Sequence, residues 1–222
     1  MAGLTIVSDV SGEPISADNV REYAHIDDGV ETTVINNMIK SSRMYVENYT
    51  GRSLLNRTLK LSIDYVDEVD QPLWEGTRIG PDIAIRRRYI QLPRPPVVSV
   101  THVKTFDDAD TETTLASSKY YVDNQREPAR IVLRNGETWP TALRIANAIE
   151  ITYVSGYGAS RSNVPEAIIQ GLLSHITFMY ENRGDAYGKP QNPLPHSIKY
   201  LLDPYKVLNF STDPFNDSVS GY

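Results

Sequence analysis

The chain has 222 residues, with 22 Lys and Arg against 28 Asp and Glu, a formal charge of −6 and no cysteine. Missing thiols exclude disulfide frameworks, thiolate metal sites and thiol nucleophiles. The acidic balance argues against sequence-independent duplex binding, whose affinity comes from phosphate neutralisation.

A hydrophobic share of 40% and a charged share of 23% suit a globular chain of one domain with an insertion, or of two modest domains. No apolar run approaches the ~20 residues of a membrane span. Met1 to Pro14 has neither a basic segment nor an apolar core and is not read as a signal peptide. Tyrosine is in excess, 14 against 4 Phe, and a ring with a polar tip is favoured where surfaces meet.

Ser16 is expected to cap a short helix carrying Val20 and Tyr23. From Asp27, the residues Val30, Val34, Ile35, Met38, Ile39, Tyr45, Val46 and Tyr49 recur at helical spacing. Glu31, Asn36, Asn37, Lys40 and Glu47 stand between them as the outward face. Gly51 is expected to end this helix in a left-handed cap.

The period then changes to two. Leu59, Leu61, Ile63 and Tyr65 alternate with Thr58, Lys60, Ser62 and Asp64, which predicts a half-buried strand. Further strands are expected at 83–92, 97–106, 119–122, 129–133 and 149–154, separated by turn-rich stretches. That spacing predicts an antiparallel sandwich or barrel, and the polar stretch from Asp67 to Asp82 reads as a projecting loop.

Helix returns at Pro165, read as a first-turn residue. Its apolar stripe is Ile168, Ile169, Leu172, Leu173, Ile176, Met179 and Tyr180. A shorter helix with Ile198, Leu201 and Leu202 is expected to stop at Pro204. The predicted class is α+β: a helical core of two long antiparallel helices plus short ones, with an inserted antiparallel β-sandwich or barrel-like module. The expected division is 1–53 and 159–210 for the helical core, 54–158 for the β module and 211–222 for an extended tail.

No catalytic or metal constellation emerges, and no cofactor is expected. His25, His102, His175 and His196 share no ligand spacing and read as structural. Asp107, Asp108, Asp110 and Glu112 lack the glycine and distal Glu of a calcium loop and read as a solvated hairpin turn. Gly156-Tyr157-Gly158 matches no phosphate-loop pattern and reads as a strand-to-helix turn. No serine sits in a nucleophile elbow.

Arg86, Arg87 and Arg88, with Arg94 nearby, form the one concentrated basic patch. It reads either as a contact with a partner or nucleic acid, or as a charge-blunted strand edge. Trp74 and Trp139, with the tyrosines, raise an alternative function as a carbohydrate- or polymer-binding β module on a helical stalk.

Several stretches, in order, resemble the head–tail connector, or adaptor, proteins of tailed bacteriophages, in particular the larger members with a β module inside a helical core. They begin with IDDGVETTVINNMIKSSRMYVENYTGRSL from Ile26 to Leu54, whose close is Tyr45-Val46-Glu47-Asn48-Tyr49-Thr50-Gly51-Arg52. LPRPPVVSV from Leu92 to Val100 follows, then YYVDNQREPARIVL with the later Trp139-Pro140. AIEITYVSGYG runs into VPEAIIQGLLSHITFMYENRGD, and LLDPYKVLNF closes the series from Leu201 to Phe210. The Asp67–Asp82 loop is longer and more acidic than the family's, and the segment after Phe210 also departs from it.

The resemblance implies a non-enzymatic structural protein of the virion neck, assembled in the host bacterial cytoplasm. It implies a homo-oligomeric, twelve-fold ring docked on the portal protein and joined to a stopper or tail-completion protein. DNA would pass through the lumen without specific binding, and no membrane is involved. Tyr205, Phe210, Phe215 and Tyr222 are the candidate portal or neck contacts, with Arg86, Arg87, Arg88 and Arg94 as a charged contact patch.

Overall fold

The computed structural model describes residues 2–27, 32–64, 89–140, 142–182 and 195–207. Helices and antiparallel sheets are both present, which makes the class α+β. The chain divides into two compact units, one holding residues 2–8 and 57–155, the other 9–56 and 156–207.

The first unit is built on two sheets. Strands β1 (Ala2–Ser8), β2 (Arg57–Ile63), β8 (Ile149–Ser155), β4 (Val97–Phe106) and β5 (Glu112–Thr114) form one, in the order β1-β2-β8-β4-β5. β3 (Tyr89–Gln91), β7 (Arg130–Leu133) and β6 (Tyr120–Asp123) form the other, in that order. Every pairing is antiparallel.

The expected alternation holds in β2, where Leu59, Leu61 and Ile63 are buried. β8 pairs on both sides, from Arg57↔Ser155 to Ile63↔Ile149 with β2 and from Val97↔Ser155 to Thr105↔Ile149 with β4. Leu59, Leu61, Val103, Ile151 and Tyr153 join Leu92, Ile131 and Leu133 in one buried cluster that draws on both sheets. The Tyr153 hydroxyl, at the end of a fully buried ring, donates to the Pro93 carbonyl (2.7 Å). Burial pushes this phenol's pKa far up, and the nearby Arg94 charge only partly offsets it.

β1 and β5 carry little strand signal. Ala2–Ser8 offers only Leu4, Ile6 and Val7 as large apolar residues, and Glu112–Thr114 offers none. β1 is made by its partner: it pairs with β2 from Ala2↔Ile63 to Ser8↔Thr58. Residues 2–8 therefore belong with the sheet, not with the helices where the sequence reading put them.

In the second unit, α1 (Ala17–Ala24) begins at a capping box in which Ser16 and Asn19 bond reciprocally. α2 (Thr32–Thr50) ends as expected at Gly51, whose φ is +70°. The Arg52 N–H bonds the Glu47 carbonyl (3.1 Å), closing that left-handed cap. α3 (Glu166–Glu181) follows Pro165, which caps the helix (φ −54°, ψ 133°) instead of standing in its first turn. α4 (His196–Leu202) runs into a 3-10 turn, Asp203–Tyr205.

Val20, Ile35, Ile39, Val46, Ile168, Ile169, Leu172, Ile176, Ile198 and Leu202 form the core of this unit. Gly171 is buried where a Cβ would come within 3.0 Å of Leu202, so the missing side chain lets α3 and α4 approach closely.

Two expectations for α2 are corrected. Val34 lies on the exposed side, and Glu47 is buried. The inward stripe is Ile35, Ile39, Ser42, Arg43, Val46, Glu47 and Thr50, which keeps helical spacing but fills four of those seven positions with polar groups. Arg43 Nε and Nη2 reach the two carboxylate oxygens of Glu13 (2.8 and 3.4 Å), and Nη1 reaches Glu47 (3.2 Å). The second oxygen of Glu47 accepts the Leu54 N–H (3.0 Å). Burial works against the Arg43 charge, but the carboxylates of Glu13 and Glu47 outweigh it and hold its pKa above the usual value.

Candidate assembly surface

Of the proposed portal-contact residues, Tyr205 is described; Phe210, Phe215 and Tyr222 lie outside the described residues. Of the basic patch, Arg94 is described, and Arg86, Arg87 and Arg88 lie outside, as do Trp74 and the Asp67–Asp82 loop.

Tyr205 sits at the centre of a strap that ties the last described residues to the C-terminal end of α2. Its carbonyl accepts from Arg52 Nε (2.5 Å), and its ring packs on the helical core. The Val207 N–H donates to the Thr50 carbonyl (2.8 Å), one of the acceptors that a helix end leaves without a partner. Tyr49 Oη donates to Asp203 Oδ1 (2.5 Å), and the Lys206 ammonium stands 5.2 Å from the Tyr49 ring centroid. The bond to Asp203, with burial second, pushes the Tyr49 pKa up to about 12, so the hydroxyl stays a donor across the physiological range. Val207 also lies 3.5 Å from where a Cβ on Gly51 would stand.

Residue-level reasoning places Tyr49 only in the apolar stripe of α2 and does not single out Arg52, Asp203 or Lys206 as partners in the strap. All four belong to two stretches quoted for the adaptor resemblance, Tyr45 to Arg52 and Leu201 to Phe210, and those two stretches bond each other.

Behind the strap, the Tyr45 ring stacks on Tyr49 (6.3 Å, 8°) and meets His175 (4.9 Å). His175 is buried, with Nδ1 3.0 Å from Ser42 Oγ, and burial pulls its pKa below the usual histidine value. A folded pKa below the unfolded ~6.5 means that the unfolded chain takes up the proton first. The contribution is complete above that value and is lost as pH falls below it. Melting temperature is therefore expected to drop on acidification more in the native chain than in His175→Gln, with the two converging at low pH. Parallel curves would show that the ring does not titrate in the fold.

Arg94 belongs to the other unit and does a different job. It holds a positive φ of 60°, and its carbonyl accepts the Ser155 hydroxyl. That backbone is committed to pinning β8. In the acidic hairpin, Asp107 Oδ1 accepts the N–H groups of Thr111 (2.7 Å) and Ala109 (2.9 Å). The Thr111 bond in particular lowers the carboxyl's pKa, and the geometry is that of a self-closed turn, with its carboxylate engaged by its own backbone.

Gly156, Tyr157 and Gly158 form a backbone turn against Leu54 to Asn56: Tyr157 N–H bonds the Leu54 carbonyl (3.2 Å), and Asn56 N–H bonds the Gly158 carbonyl (2.9 Å). Trp139 is half-buried against the sheet cluster, so its ring is spent on packing and gives no support to a stacking platform for sugars. His25 takes a left-handed cap at the end of α1, and His102 lies on β4. Among the described residues, no three His, Asp or Glu side chains come together as a metal set. No described helix is long and apolar enough to cross a membrane.

No protein-family model matches the chain, and no curated protein is similar to it. Solved structures do match. A chain in the neck of an empty GTA particle, computed with C6 symmetry, is similar over 95% of this chain and 98% of its own, with a TM-score of 0.72 and 20% identity. The fold is one found in gene transfer agent particles. A chain in the virion of the native gene transfer agent gives a TM-score of 0.71 at 20% identity, over 94% of this chain and 97% of its own. A chain in the neck of the native particle, computed with C12 symmetry, gives 0.67 at 21%, over 95% and 98%.

Proposed function

We propose that the protein is a non-enzymatic adaptor of a phage-type neck. It forms a ring that docks on the portal and joins the DNA-filled head to the stopper or tail. The observation that supports this best is fold similarity to a neck chain spanning 95% of this sequence and 98% of that chain. In this reading a helical core carries an inserted β-sandwich module, with the first strand contributed ahead of the helices.

A closed ring is a head-to-tail assembly in which each subunit presents two different faces; twelve copies are proposed, in a virion neck built in the bacterial cytoplasm. A net charge of −6 favours passage of DNA through the lumen, because a basic wall would hold the phosphates. The strap at Tyr205 fixes the point from which the chain continues towards Phe210, Phe215 and Tyr222, which are proposed with Tyr205 as the portal-contact residues. Arg86, Arg87, Arg88 and Arg94 are proposed as the charged contact patch, towards the portal or the next ring.

Mass in solution, measured alone and with a portal protein, tests the assignment. A ring or a stoichiometric portal complex is expected, and a strict monomer that never associates with portal would sink it. Deleting Ser211 to Tyr222 is expected to weaken portal docking while leaving the melting temperature unchanged. A truncated chain that melts much earlier would show the segment to be part of the folded core instead.

A further inference from the structure

We propose that Asn135 is a site of spontaneous covalent modification, converting through a cyclic imide to aspartate and isoaspartate at the turn after β7. Asn135-Gly136 is the one Asn-Gly step in the sequence. Both residues are exposed, in a turn closed by the Glu137 N–H on the Arg134 carbonyl (3.1 Å). That bond leaves the Gly136 nitrogen outside it. Gly136 has a φ of +85°, and nothing beyond its chain neighbours lies within 4 Å of where its Cβ would be, so no other segment packs on that side of the turn.

The chemistry needs only water. Hydroxide removes the Gly136 amide proton, and the nitrogen attacks Asn135 Cγ. The Cγ–Nδ2 bond breaks, ammonia leaves with a proton returned from solvent, and a five-membered imide remains. Water then opens the ring at either carbonyl. One opening gives aspartate; the other routes the main chain through Cγ and gives isoaspartate. The sum is one water taken up and one ammonia released, with no oxidation or reduction.

The other described asparagines are held away from this path. Asn36, Asn37 and Asn48 sit in α2, whose backbone fixes the following N–H in the helix ladder. Asn19 and Asn163 accept in capping boxes, and Asn182 donates to the Phe178 carbonyl (2.7 Å). Asn147 precedes the fully buried Ala148, and Asn56 precedes Arg57, the first residue of β2, whose backbone is paired opposite Ser155. Asn124 is exposed as Asn135 is, but Gln125 follows it with a side chain over the attacking nitrogen.

The test is to incubate the folded full chain in mildly alkaline and mildly acidic buffer, then map aspartate and isoaspartate at each asparagine by mass spectrometry with isoaspartyl labelling. Asn135 is expected to convert first, several-fold ahead of Asn124 and faster in alkali. Asn135→Ser should abolish the new isoaspartate while melting like the parent. Gly136→Ala should slow conversion several-fold, with its melting curve recorded because a positive φ strains alanine. Conversion of Asn135 at the rate of Asn124 in the folded chain would overturn the proposal, even if the urea-unfolded chain converts quickly, because the turn would then protect the step.

Discussion

Glu47→Ala is expected to destabilise the helical unit by about 3–5 kcal/mol, the usual cost of removing one partner from a buried ion pair. Arg43 and Glu47 are only 5% and 3% exposed, so solvent cannot replace the lost carboxylate. Two groups lose a partner together. The Arg43 guanidinium keeps Glu13, through its Nε and Nη2, and the more distant Asp9 charge, and the Leu54 N–H loses the acceptor that tied the chain down just past α2.

Denaturant melts would read the effect directly, and the melting temperature should fall by roughly 10 °C for a chain of this size. Glu47→Gln keeps an acceptor for Leu54 without the charge and should cost less. The double variant Arg43→Met/Glu47→Leu removes the pair rather than orphaning half of it, so it should recover part of the loss. A single variant within about 1 kcal/mol of the parent would show that water enters and solvates Arg43.

The second large effect is expected at Gly156. Its φ is +144°, and a Cβ there would stand 2.5 Å from the Asn56 nitrogen and from the Leu55 carbonyl oxygen. Both obstacles are main chain, so no side chain can swing away. Gly156→Ala combines a conformation reserved for glycine with overpacking, each about 1–3 kcal/mol, and about 3–5 kcal/mol together is expected. The turn's bonds to Leu54 and Asn56 would separate first, so hydrogen exchange at Asn56 and Tyr157 should accelerate most. Gly136→Ala serves as the contrast: its φ is also positive, but open space surrounds it, so only the conformational cost applies. Equal melting of the two variants would show that the close approach at Gly156 relaxes.

Both sites mark the limits of residue-level reading. The α2 and α3 stripes were legible because apolar residues at a period of 3.6 need a common buried face. β2, β4, β7 and β8 were legible because their apolar positions alternate or run together between turn signals. The Ser16 and Gly51 caps were legible from residue type alone. Glu47 was misread as outward because a carboxylate in an amphipathic helix normally faces water. Only the arrival of Arg43 and the Leu54 N–H beside it makes its burial tolerable.

Composition excludes thiol chemistry, no apolar run is long enough for a membrane-crossing helix, and local pattern predicts the α+β class. Those conclusions rest on composition and on periodicities that each segment carries by itself. Tertiary structure decided the rest: β1 exists because β2 offers it a ladder, and the strap exists because Tyr49 and Arg52 meet Asp203 and Tyr205. The sequence separations there, 154 and 153 residues, explain why. A hydrogen bond between distant segments leaves no local pattern; it forms only once the core beneath has brought its ends together.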